Sequence, residues 1–312
     1  MPCKLLCPCV NSRRILAGRF PLSHPFCNTW SPRRLQLLKQ GIRQSCIKWV
    51  VPHDEWYFVL DKMYENNSPI GFQIALVEVL LQQTSVQGIY EELEARGLAV
   101  RLKQDVVPDA CRCFPIMMDE LRSLRTVEVV RLGGIKAVRA ESLELQLGQI
   151  KLEPDTLLVD CTADGVDGYH GSYQIFSPQH IRLSASLSAF NAGHASSCIA
   201  YLESKMMDDA EKNSICDAAA MSYPTRFTGD LTNFIDILYA DLKTQRAFAR
   251  DIKSAKFLLD ARTNSVSPTH CSLKSTMWTL FGPKRLNSKL DKFIAKIESV
   301  GYDGYPPKKA LR

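Results

Sequence analysis

The sequence predicts an α/β fold: a parallel sheet, then a β-meander, then a largely helical C-terminal part. Three observations predict it. A helix, a glycine and a strand follow one another from Pro32 to Val51. Short strands separated by glycine or polar turns crowd between Val127 and Leu152, and beyond Gly171 the apolar residues recur mainly at helical spacing. The 312 residues suffice for one large domain or two ordinary ones. With 46% hydrophobic and 23% charged residues, the composition excludes a mainly disordered or collagen-like chain. The longest apolar region, Ile74 to Leu81, is interrupted by Glu78. It falls well short of the ~20 residues a membrane-spanning helix needs, so no membrane span is expected.

Each element has a local reason. Ser31-Pro32 supplies an N-cap and a first-turn proline, Leu35, Leu37 and Leu38 anchor the helix, and Gly41 ends it. Ile47–Val51 then reads as a strand stopped by Pro52. This is the second half of a βαβ unit, and the spacing shows no strand and glycine turn ahead of Pro32. Ile70, Ile74, Val77 and Leu81 follow helical spacing, and Val86–Arg96 forms a helix closed by Gly97. Val127–Arg131, Ile135–Ala140, Ser142–Leu147 and Gln149–Leu152 form the meander, and Thr156–Val159 is an apolar strand suited to the interior of a parallel sheet. Helices are expected over Asn191–Lys205, after Asp230 through Leu242, and from Leu286 to Val300 before Gly301.

Charge is unevenly spread within a net +6. Nine basic residues and no acidic one precede Asp54, which leaves 30 basic and 33 acidic residues for the rest. A folded body that is mildly acidic is not the footprint of a nucleic-acid-binding domain, so no nucleic acid is expected as partner. The Arg-rich, acid-free leader reads as a poorly ordered tail in a cytoplasmic protein, with a mitochondrial targeting segment as the alternative. Eleven cysteines in irregular spacing do not form a disulfide framework and indicate a reduced compartment. Cys3, Cys7 and Cys9 find no answering CxxC pair or His cluster, so no metal site is expected.

Chemistry concentrates in Pro154–Gly165, PDTLLVDCTADG. A buried strand ends in Asp160, Cys161 and Thr162 and turns through Ala163, Asp164 and Gly165. Ligands of open α/β sheets bind at the carboxyl ends of strands, and Gly165 permits a close backbone approach. An ordinary strand-end turn accounts for the same residues. No GxSxG elbow, GxxxxGK[ST] loop or HExxH helix occurs, and none of the six histidines sits beside a convincing nucleophile. His194, on an apolar helix, reads as a packed histidine.

Four stretches carry a family resemblance: IKWVVPHDEWY (Ile47–Tyr57), VEVVRLGGIKAVRAESLELQLGQI (Val127–Ile150), LEPDTLLVDCTADG (Leu152–Gly165) and IRLSASLSAFNAGHASSCIAYLES (Ile181–Ser204). In this order they resemble the C-terminal part of the FAD/NAD(P)-binding oxidoreductases related to flavin-containing monooxygenases, over about Pro32 to Asn264. The resemblance implies an incomplete Rossmann-like sheet with a β-meander and a helical C-terminal extension. It divides the chain into a basic N-terminal segment (1–31), a partial NAD(P)-binding-like module with the meander (32–160), a partial FAD-module-like helical region (161–265) and the helical extension (266–312). It implies FAD and NAD(P)H as cofactors, with hydride passing from NAD(P)H to FAD in intact relatives.

Cofactor-proximal positions under that resemblance are His53, Asp54, Thr162, Asp164 and Gly165. His53 and Asp54 follow the strand whose end meets the adenosine ribose, where an acid favours NAD and a base accommodates the NADP phosphate. Related sequences usually carry Arg where His53 stands, so the nicotinamide preference stays open. Ser186, Ser188 and Ala189 would lie nearest the flavin from a helix N-terminus, or serve simply as caps. The family's glycine loops are absent, because no two glycines are separated by a single residue. The chain is therefore expected to be a truncated or divergent relative, or a non-catalytic scaffold kept from that fold. It would associate with itself or with a complementing chain, since an incomplete sheet leaves edges unpaired.

Overall fold

The computed structural model describes residues 15–18, 37–38, 40–63, 69–160, 174–182, 192–220, 231–248, 256–257, 260–261, 263 and 288–307. The protein is mixed α/β and divides into two units whose segments alternate along the chain. The first comprises Met1–Tyr57, Arg101–Gly168 and Arg226–Asp230, and the second Phe58–Val100, Tyr169–Thr225 and Leu231–Arg312. Among the described residues no helix is long and apolar enough to cross a membrane.

The first unit is built on a parallel sheet. Its strands are β1 (Ile15–Gly18), β2 (Ile47–Val50), β6 (Glu128–Val130) and β10 (Leu157–Asp160), in the order β10-β1-β2-β6. Ile15 pairs with both Leu157 and Ile47, and Val50 pairs with Val130. The sequence reading placed no strand ahead of Pro32, and β1 corrects it. Four residues, ILAG, hemmed by Arg13, Arg14 and Arg19, are too few to show a period of two, and their pairing is non-local. The strand Thr156–Val159 was expected inside the sheet. As β10 it stands at the end of the order among the described residues, with Leu157 46% exposed.

Between β6 and β10 runs the meander, β7 (Ile135–Val138), β8 (Ser142–Leu145) and β9 (Gly148–Lys151), antiparallel throughout. Val127–Arg131, expected as its first strand, instead supplies β6, which pairs in parallel with β2 across the sheet. Ile135, Leu143 and Leu145 pack with Val50 and Leu152, and with the partly buried Val130, Leu132, Ile150 and Leu158. The meander thus covers apolar side chains of the parallel strands, which alone would leave them in water. A short helix, Met118–Leu124, buries Leu121 and Leu124. Behind it the Arg125 guanidinium donates to the carbonyls of Leu102 and Arg101, each at 2.9 Å. Strand β5 (Ala110–Ile116) is tied to the turn after β2 by Ala110 N–H donating to the Asp54 carbonyl. Two further strands, β3 (Glu55–Val59) and β4 (Ala99–Arg101), each contain a boundary between the units.

The second unit is mainly helical: α1 (Leu60–Met63), α2 (Pro69–Gln82), α3 (Val86–Ala95), α5 (Ala192–Lys205), α6 (Asp209–Ala220), α7 (Asn233–Phe248) and α8 over residues 288–299; α4 is the short helix Met118–Leu124 of the first unit. Ser85 caps α3, its side chain accepting from Gly88 N–H at 3.0 Å, and Gly97 closes it at φ +68°. A core forms from Phe176, Ala195, Cys198, Ile199, Leu202, Cys216 and Phe248. Inside it the Asn213 carboxamide accepts from Phe176 N–H at 2.9 Å and donates to Phe176 C=O at 2.8 Å, satisfying a buried strand residue in both directions. After α8, Gly301 turns the chain at φ +70°, where a Cβ would stand 2.3 Å from the Tyr305 carbonyl. The returning segment lies against the α2–α3 turn, with Asp303 N–H donating to the Thr84 carbonyl and Val86 N–H to the Asp303 carbonyl.

Candidate functional site

All four strands of the parallel sheet point the same way, so their carboxyl ends gather at one edge. Gly18 pairs with Asp160 and Val50 with Val130, which sets those ends level. From β1 the chain proceeds outward to β2 and β6 and then returns to β10 on the other side of β1. The order reverses between β1 and β10, and crevices for ligands of open parallel sheets form at such reversals.

The described side chains at this edge come from the turns after β2 and β6 and from the segment between β4 and β5. Arg131 directly follows β6, and the Val51 N–H donating to the Val130 carbonyl continues the pairing up to it. Its Nε donates to Asp54 Oδ2 at 2.6 Å and its Nη2 to Asp54 Oδ1 at 2.8 Å. The contact is a two-point fork, the strong geometry for an arginine and a carboxylate. The Asp54 side chain is 10% exposed and that of Arg131 29%. The hydrogen bond to Asp54 raises the Arg131 pKa against the opposing effect of burial, and the charges of Asp54 and Asp105 add to it. His53 is exposed, with Nδ1 2.8 Å from Asp109 Oδ2. Lys48 pairs with Glu128 across β2 and β6 at 3.0 Å.

Of the residues expected near a cofactor, His53 and Asp54 stand at this edge. Thr162, Asp164 and Gly165 lie outside the described residues, as do Cys161, Ser186, Ser188 and Ala189. The sequence reading missed Arg131, Asp105 and Asp109. The available signal was the charged residue closing the apolar run VEVVR, one strand away from Asp54. His194 is buried, its Nδ1 3.1 Å from Thr263 Oγ1 and its Nε2 3.7 Å from Cys198 Sγ, and burial lowers its pKa. Among the described residues no group of His, Cys, Asp and Glu could hold a metal ion.

Comparison with known proteins gives relatives without a described activity. Uncharacterized proteins of Mycobacterium bovis and of two strains of Mycobacterium tuberculosis are each 26% identical to the chain over 237 residues. The match covers 74% of this chain and 42% of theirs, so the chain spans less than half the length of these relatives. No family model and no solved structure matches.

A dinucleotide makes two demands on such an edge: a glycine turn for the pyrophosphate and an open acceptor for the ribose. The sequence has no Gly-x-Gly, and the next glycine after Gly18 is Gly41. Both Asp54 oxygens are engaged by Arg131. The described residues therefore do not fit FAD or NAD(P) in that manner.

Proposed function

We propose that the chain is a divergent flavin-dependent, NAD(P)H-linked oxidoreductase-like protein, one that keeps the sheet of such enzymes but holds its nucleotides by contacts other than a glycine turn and the Asp54 carboxylate. The observation that supports this reading is the strand order. Three parallel strands run outward from β1, a meander follows, and a fourth parallel strand returns beside β1. That order suits the Rossmann-like arrangement implied by the resemblance of Ile47–Tyr57, Val127–Ile150 and Leu152–Gly165, in which ligands meet the sheet where the strand order reverses.

A second reading, a non-catalytic scaffold or interaction protein derived from that fold, is favoured by the Asp54–Arg131 fork, which fills a polar position a nucleotide would use. One measurement separates the two. The purified chain is incubated with FAD, freed of unbound flavin on a sizing column, and examined by visible absorption before and after NADH or NADPH. A co-eluting flavin band that bleaches on reduction is expected of an oxidoreductase. A colourless, folded protein sinks that reading and leaves the scaffold.

A further inference from the structure

We infer that Arg131 is a specificity-determining residue that shuts the β2 end of the sheet to an unphosphorylated nucleotide ribose, by holding both carboxylate oxygens of Asp54. The inference rests on the proposed reading of the sheet edge as a nucleotide edge. A ribose diol is recognised there by donating its hydroxyl protons to a carboxylate. A carboxylate offers about four acceptor sites. Arg131 takes one on each oxygen, at 2.6 and 2.8 Å, and with the side chain 10% exposed little approach is left to the others.

The latch is built in by register. Arg131 follows Val130, and Val130 is fixed opposite Val50 and bonded to Val51 N–H, so the guanidinium arrives beside the turn that carries Asp54. The Asp54 carbonyl separately accepts from Ala110 N–H at 3.2 Å, which ties the backbone of this turn to the start of β5. Arg131 is not placed to read a phosphate instead. Asp54 neutralises it, Asp105 adds a second negative field, and the exposed His53 is already beside Asp109. An incoming dianion meets the carboxylates of Asp54, Asp105 and Asp109 against the single guanidinium of Arg131, a poor anion site.

The test measures ADP and adenosine 2′,5′-bisphosphate binding by titration calorimetry. The proteins are the wild type, Arg131→Gln, Arg131→Lys and the double variant Asp54→Asn/Arg131→Gln, each checked for folding by circular dichroism. Arg131→Gln should bind ADP about tenfold tighter than wild type, the gain of one freed polar contact of roughly 1.4 kcal/mol. Adding Asp54→Asn should abolish the gain. Arg131→Lys keeps the charge but not the planar fork, so a gain of about threefold is expected, and it serves if Arg131→Gln does not fold.

ADP affinity unchanged in the folded single variants overturns the latch while leaving a nucleotide edge intact. A wild type that prefers the bisphosphate, and loses that preference in Arg131→Gln, overturns it in favour of phosphate reading. No binding by any variant removes both the latch and the nucleotide reading.

Discussion

Asn213 and His194 show how single side chains in this protein act through burial. Asn213 is 4% exposed and supplies both the acceptor and the donor that Phe176 needs. Asn213→Ala leaves two buried backbone groups unpaired, at about 1–3 kcal/mol for each group. We expect a drop of about 2–4 kcal/mol in unfolding free energy, read from urea melts. A loss below about 0.5 kcal/mol would mean that water reaches Phe176. His194 behaves differently. Burial holds its pKa below the ordinary 6.5, so the folded chain stays neutral where the unfolded chain takes a proton. The unfolded state then binds more protons, and stability falls as the pH drops below about 6.5, until the folded imidazole titrates too. His194→Gln should flatten that part of the stability–pH curve. An unchanged slope would assign the pH dependence to other groups.

Helix α2 illustrates how an element is closed from far along the chain. Its last carbonyls lack partners within the helix. The Lys296 ammonium donates to the carbonyls of Leu80 and Leu81 at 3.0 and 3.2 Å and to that of Gln83, and Tyr302 Oη donates to Leu80 C=O at 2.7 Å. Lys296 also lies 4.4 Å from the Tyr302 ring centroid. A cation at a helix C-terminus is favoured by the helix dipole as well as by these bonds. Lys296→Met should therefore cost about 1–3 kcal/mol, and raised salt should recover little of it, because the contact is partly buried. Hydrogen exchange should show the last turn of α2 opening first in this variant, and uniform loss of protection would argue against a local cap. None of this was legible in the sequence, since the partners are more than 200 residues apart. What was legible was local: Ser85 and Gly97 at the ends of α3, Gly301 after α8, and the turn-punctuated meander each declare themselves within a few residues. Strand β1 and Arg131 were missed for the opposite reason, because register across the sheet gives them their places.

At the scale of the whole molecule, the chain crosses between its two units five times, so neither unit is a continuous stretch. The family resemblance implied modules laid end to end, with a border at residue 160. Helices α2 and α3 are where the cleavability of such a border is tested. They lie before it, and Leu80, Ile89, Tyr90 and Leu93 are fully buried. Tyr90 Oη donates to the Leu231 carbonyl, and the cap on α2 comes from residues 296 and 302. A fragment of residues 1–160 would keep the parallel strands and the meander but expose the apolar faces of α2 and α3 to water. We expect it to bind a hydrophobic dye and to elute as an aggregate. Co-expression with residues 161–312 should return a soluble complex, since these hydrogen bonds and apolar faces can re-form between two separate pieces. A fragment 1–160 that runs as a monomer and melts cooperatively would show that α2 and α3 find another cover, and that the interleaving of the two units is not needed for folding.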